Sequence, residues 1–185
     1  MKDSQQLEIL AGLISQTIPL IDSDSSREGL RDTPSRHAKF LKEFLVDSEP
    51  FNVTTFDSEG YDEMIVQTGI PFYSMCEHHM VPFFGHATIA YIPNEQIVGL
   101  SKLARTLVHF SRNLQNQERI TKQVTEFLND TLHPRGVGVT LTARHLCMEM
   151  RGIEKPGTQT TTTFVKGVFK DDPATRSEFL AYIKK

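Results

Sequence analysis

The apolar positions of this 185-residue chain change their spacing several times, and each change marks a different element. Leu7, Leu10, Leu13, Ile14 and Ile18 recur at helical spacing behind Ser4, a residue suited to capping. They predict a first helix that Pro19 should end. Thr33-Pro34 predicts the start of a second helix, with Thr33 as cap, Pro34 in the first helical position, and a stripe of Ala38, Leu41, Phe44 and Leu45. Residues 48–63 read as irregular. From Met64 the pattern changes to strands: 65–68 and 86–92 read as such, the second stopped by Pro93-Asn94. Two amphipathic helices follow. One carries Leu103, Leu107, Phe110 and Leu114; the other starts near residues 115–119 and carries Ile120, Val124, Phe127 and Leu128. Pro134-Arg135-Gly136 turns the chain into a strand over 137–143. A Thr-rich strand is predicted over 158–168. Asp172-Pro173 then caps a last helix with Phe179, Leu180 and Ile183.

This order predicts an α+β fold, an antiparallel sheet with helices packed on one face and helices at the N-terminus. The length suits one domain over 1–185, with an N-terminal helical part over 1–48 and the sheet-bearing part over 64–185. Composition changes this picture little: 38% hydrophobic and 23% charged residues fit a soluble chain with a core to bury. The net charge of -3 argues against a global field for nucleic acid. No apolar run approaches the ~20 residues that span a bilayer, and the first residues lack a signal-peptide pattern. A cytoplasmic, reducing location is expected, where cysteines stay thiols.

The two cysteines therefore carry chemical information. Cys76 lies in Met75-Cys76-Glu77-His78-His79, and Cys147 lies in Arg144-His145-Leu146-Cys147. Cys76 and His79 are three apart, a spacing at which a turn can pinch a metal. If the strand from Val137 continues, His145 and Cys147 project from one face. A lone buried Cys is ordinarily core; the pairing of Cys-x2-His with a distant His-x-Cys points to metal. Thiolate and imidazole select zinc over magnesium or calcium. A structural zinc site takes four protein ligands, whereas a catalytic one keeps a position for water. His78 and His145 stand beside the set and can move protons.

A helix opening at Gly99-Leu100-Ser101-Lys102-Leu103-Ala104-Arg105 places cations where they oppose the helix dipole. Lys102, Arg105, His109 and Arg112 form one polar stripe. It reads either as an anion site using the free N–H groups of the helix start or as a solvated face. Glu118, in the first turn of the next helix, is a normal dipole partner.

Together these segments resemble the GTP cyclohydrolase I family. The resemblance rests on Thr33-Pro34-Ser35-Arg36, Ser74 to His79, Gly99 to Arg105, Gln117-Glu118-Arg119, His145-Leu146-Cys147-Met148, Met150-Arg151-Gly152 and Arg176-Ser177-Glu178-Phe179-Leu180, in family order from Gly29 to the C-terminus. It implies the tunnelling fold (T-fold), and subunits assembled as a homodecamer with active sites between them. It implies one Zn2+ per subunit on Cys76, His79 and Cys147. It implies conversion of GTP to 7,8-dihydroneopterin triphosphate and formate, the first step of tetrahydrofolate and pterin biosynthesis. His78, His145 and Ser101 are then catalytic. Gln117 and Glu118 hold the guanine edge, where one carboxylate can accept both N1–H and N2–H. Lys39, Ser101, Lys102, Arg105 and Arg151 face the triphosphate and ribose. Two positions depart from the family: Asn116, where relatives often carry Val, and Glu149, where they often carry an apolar residue. Two rival readings remain. A nitrile reductase of the same fold would use a nucleophilic Cys and a nicotinamide, and a non-catalytic zinc-stabilised protein would need a fourth ligand, His78 or His145.

Overall fold

A computed structural model describes residues 3–44 and 52–183 of the chain. The chain forms two compact units, Met1–Asp47 and Ser48–Lys185.

The first unit pairs helix α1 (Asp3–Ile21) with helix α2 (Thr33–Glu43), joined through a 3-10 turn at Glu28–Leu30. Pro19 does not end α1, contrary to the sequence reading. The helix runs on to Ile21, and the N–H of Asp22 still bonds the Ile18 carbonyl at 3.0 Å. Proline forfeits one donor, but its φ is compatible with helix, so a proline near the end of a helix need not stop it. Thr33 is likewise the first helical residue and not the cap. Asp32 holds the cap position, its side chain accepting from Arg36 at 3.5 Å and from no helix N–H, while the Thr33 hydroxyl donates to the Gly29 carbonyl at 3.3 Å. Ala38 is buried as expected, and Leu45 lies outside the described residues.

The second unit is built on a five-stranded sheet. Its strands are β2 (Ile65–Cys76), β3 (Pro82–Ile92), β5 (Leu114–Gln115), β6 (Gly136–His145) and β7 (Gln159–Gly167), in the order β5-β2-β3-β6-β7. All neighbours are antiparallel except the short β2/β5 pair. A separate ribbon pairs β1 (Thr55–Asp57) with β4 (Gln96–Val98). Strand β1 falls in the stretch read as irregular, because three residues are too few to display a period.

Helices α3 (Leu100–Ser111) and α4 (Gln117–Leu132) cover one face of the sheet. Leu103 and Leu107 from α3, and Ile120, Val124 and Leu128 from α4, pack on Phe72, Ile89, Tyr91, Val139 and Leu141. These side chains are fully or almost fully buried. Leu114, expected on the first helix, is instead in β5 and exposed, because α3 stops at Ser111. Arg112 is extended for the same reason, so the predicted polar stripe ends at His109.

A smaller core lies on the opposite face of the sheet, since Ala90 and Ile92 alternate with Ile89 and Tyr91 along β3. There Phe169 of α6 (Val168–Asp171) and Phe179 of α7 (Pro173–Ile183) meet edge to face at 5.4 Å beside Ala90. Gly167 turns β7 into α6 at φ 60°, and a Cβ placed there would sit 2.2 Å from the Arg135 carbonyl oxygen. That position accepts only glycine without moving backbone. Asp172 caps α7 as predicted, its carboxylate accepting from the N–H of Thr175 at 2.8 Å. No described helix is long and apolar enough to cross a membrane.

Candidate active site

Sheet register brings the two cysteine segments together. Strand β2 ends at Cys76, and a tight turn follows in which the N–H of Met80 bonds the Cys76 carbonyl at 2.9 Å and Cys76 N–H bonds the Val81 carbonyl at 3.0 Å. Strand β3 then starts at Pro82, and Phe83 lies opposite His145 in β6. The hairpin tip is thus level with the end of β6. The strand stops at His145, and Cys147 lies in the single helical turn α5 (Leu146–Glu149). The expectation that His145 and Cys147 share a strand face is therefore corrected: a change of backbone conformation separates their directions.

One ligand atom from each of Cys76, His79 and Cys147 lies within 4.8 Å of the other two. Cys76 Sγ is 3.8 Å from His79 Nδ1. A tetrahedral zinc ion with bonds of about 2.0–2.3 Å holds its ligand atoms roughly 3.3–3.8 Å apart, so the three donors need little closure to share one ion. Both cysteines are free thiols. Burial pushes the Cys147 thiol up, and the neighbouring Cys76 sulfur adds to the effect. A divalent cation among them would stabilise both thiolates. Neither His78 nor His145 belongs to this mutual group among the described residues. Three mutually close donors are the number that an open, catalytic zinc site takes from protein.

His145, two residues from Cys147, has one ring face and one ring nitrogen engaged. Its ring stacks on Phe83 at 4.7 Å and 3°, and its Nε2 lies 2.8 Å from Gln117 Oε1. Burial lowers its pKa, while the carboxylates of Glu118 and Glu149 act in the opposite sense. Gln117 is almost fully buried at the start of α4, and Glu118 beside it is exposed. Asn116 caps α4, its Oδ1 accepting from the N–H of Arg119 at 2.8 Å.

Four residues that the sequence reading left without a role hold the turn from behind. Glu77 accepts from both guanidinium nitrogens of Arg119, at 2.6 and 3.1 Å, and from the Asn116 amide at 2.9 Å. These bonds hold its carboxyl at a pKa of about 2. Arg119 also donates to Gln115 Oε1 at 3.2 Å, and the Glu77 N–H bonds the Gln115 carbonyl at 2.9 Å. Asn116 is thus bonded to the turn that carries His78 and His79. Glu149 accepts two bonds from Arg144 at 2.8 and 2.5 Å. Arg119 and Glu77 each lie in a motif singled out in the sequence, Gln117-Glu118-Arg119 and Ser74 to His79, but nothing along the chain pairs them.

The remaining candidates are spread more widely. Arg151 is exposed just beyond α5, and its charge acts on Cys147. His78 is largely exposed, with Nδ1 3.6 Å from Cys76 Sγ. Ser101, Lys102 and Arg105 lie on the first turns of α3, whose cap Gly99 offers no side-chain bond. Among the described residues no side-chain bond ties them to the cysteine cluster. Lys39 is an exposed residue of α2 in the first unit.

A Cys-His-Cys donor set at the end of an antiparallel sheet, with a half-buried imidazole beside it, is a group that could hold a metal ion next to an acid–base residue. Residues 10–184 match the family model described as GTP cyclohydrolase I. Among similar proteins, the GTP cyclohydrolase 1 of Streptococcus agalactiae serotype V is 47% identical over 176 residues, covering 93% of this chain and 94% of that one. The GTP cyclohydrolase 1 of Aquifex aeolicus is 48% identical over 165 residues, covering 89% of each. That of Synechococcus sp. (strain JA-2-3B'a(2-13)) is 48% identical over 170 residues, covering 89% of this chain and 73% of that one. A crystal structure of the archaeosine synthase QueF-Like in the apo form aligns with a TM-score of 0.47 at 12% identity, over 56% of this chain and 93% of that chain. The chain belongs to the GTP cyclohydrolase I family, and it is an enzyme of that family.

Proposed function

We propose that the chain converts GTP to 7,8-dihydroneopterin triphosphate and formate in a zinc-dependent reaction, the first step of a pterin and tetrahydrofolate pathway. The observation that carries this is the mutual proximity of Cys76, His79 and Cys147 with His145 beside them. Zinc held by these three ligands would supply Lewis acidity and an acidified water near neutral pH.

The chain's own residues supply the rest. His145 exchanges a proton with the guanine imidazole ring as it opens, and C8 leaves as formate. His78, exposed and adjacent to a ligand, is a second proton carrier. The Glu118 carboxylate accepts N1–H and N2–H of guanine, a donor pair adenine lacks. Lys102, Arg105 and Arg151 grip the triphosphate, which the reaction leaves intact, so their binding energy serves to orient the purine. Ser101 acts on the sugar in the later isomerisation. The protein works in the cytoplasm as a homodecamer with sites between subunits.

The test is incubation of purified, metal-quantified protein with GTP, following formate and, after oxidation, pterin fluorescence. Formate with a fluorescent pterin is the expected result. GTP left intact by fully zinc-loaded protein would refute the reading.

A further inference from the structure

Gln117 is implied by the family resemblance as a partner of the guanine edge, but its surroundings give it other work. The side chain is 1% exposed. Its Nε2 lies 3.0 Å from the Leu141 carbonyl oxygen, 3.0 Å from the Thr160 carbonyl oxygen and 3.1 Å from Thr162 Oγ1. Carbonyl oxygens only accept, so the amide end that faces two of them must be the NH2. The hydroxyls agree with this orientation. Thr121 donates its proton to the Gln117 main-chain carbonyl at 2.7 Å. In the 2.6 Å contact between the two threonines, Thr162 must then be the donor. Its lone pairs remain to accept from Gln117.

With the NH2 placed, Oε1 is the atom facing His145 Nε2 at 2.8 Å. An amide oxygen cannot donate, so the proton in that bond belongs to the imidazole. Stacking on Phe83 holds the ring in the plane that this bond requires. We propose that Gln117 is a positioning residue: it fixes neutral His145 as the Nε2–H tautomer and so makes Nδ1 the nitrogen that exchanges a proton with substrate. The chain of constraint runs from the carbonyls of β6 and β7 through one buried amide to one ring nitrogen. With Nε2–H held by the amide, Nδ1 is the nitrogen left to take a proton from the attacking water and return it to the ring nitrogen released on opening; the wrong tautomer would block that acceptor, which is how a buried partner of histidine controls acid–base chemistry without touching substrate.

The proposal rests on the reading that His145 handles a proton in ring opening, and the experiment separates the two. Zinc-loaded protein carrying 15N-labelled histidine is measured by long-range 15N–1H correlation, with His145→Gln identifying the signal. The expected spectrum shows the Nε2–H pattern for His145. Gln117→Met is expected to lose that single pattern and to lower kcat for formate release by about a hundredfold or more, while KM for GTP moves by less than about threefold. An Nδ1–H pattern in the parent protein would overturn the proposal, and needs no variant to fold. So would a Gln117→Met enzyme with parental kcat and a KM raised about tenfold, the mark of a lost base contact. If His145→Ala releases formate at the parental rate, the proton role of His145 falls, and this proposal with it. If His145→Ala stalls but Gln117→Met does not, the proton role survives and only the positioning role fails.

Discussion

The two ends of the sheet are held by different physics. At one end, the β2–β3 turn and the β6–α5 junction are fixed by directional bonds: Arg119 and Asn116 on Glu77, Gln117 on His145, Arg144 on Glu149. At the other, Phe169 and Phe179 close an apolar cluster on Ala90, with glycines where strand and helix approach too closely for a Cβ. Directional bonds position donor atoms but contribute little net stability where water competes. Apolar packing is stabilising but is not directed at one donor or acceptor atom. Substitutions at the exposed bonds of one end should therefore alter chemistry with little loss of fold, and those at the other the reverse, while the buried Gln117 amide serves both.

The largest separation is expected from Cys147→Ala. It should abolish zinc retention and formate release together while leaving the far-end core intact; a metal-free Cys147→Ala protein with full turnover would break the comparison at its chemical end. Phe179→Ala is the counterpart. Removing a fully buried ring should cost about 3–5 kcal/mol in denaturant unfolding, with zinc stoichiometry in the folded fraction unchanged.

Arg119→Met should be intermediate, since it loosens the turn without touching a ligand. Zinc affinity, measured by competition with a chelator, is expected to fall about tenfold. The same variant carries a pH signature in metal-free protein. Glu77 is depressed from 4.5 to about 2, chiefly by Arg119. A depressed carboxylate contributes stability above its unfolded pKa and loses it as pH falls through the folded value. The stability difference between parent and Arg119→Met should thus be constant above pH 4.5 and vanish toward pH 2. A difference that persists in acid would show that the guanidinium acts by packing alone.

Glu118→Ala should weaken GTP binding and narrow the preference for GTP over ATP, measured by equilibrium binding of both nucleotides. Unchanged discrimination would remove the base-reading role. The smallest effect is expected from Asp172→Ala, which removes the α7 cap. Bonds from Thr175 and Ala174 hold this carboxyl below its usual range, so a slight drop in Tm at neutral pH should fade as the carboxylate is protonated.

Much of this molecule is readable along the chain because periodicity is local. The stripes of α3 and α4 follow from which side chains must leave water, and β3 and β6, covered on both faces, are buried over consecutive residues. The candidate ligands were legible because two cysteines and a nearby histidine are rare enough to stand out. The errors came where one local signal met a longer-range competitor. Pro19 stayed inside α1 because its φ suits a helix, and Leu114 left the apolar stripe because β5 pairs with β2.

What the sequence alone determined was the supply of parts: two thiols, the histidines, the amphipathic helices and the strands that carry them. Only the tertiary structure decided how those parts meet. Register between β3 and β6 sets Cys147 level with the β2–β3 turn, and the switch from strand to helix after His145 sets its direction. The Glu77–Arg119 clamp and the amide orientation of Gln117 belong to the same class. A hydrogen bond depends on distance and angle between atoms brought together by the whole fold, and no spacing along one strand or helix encodes it.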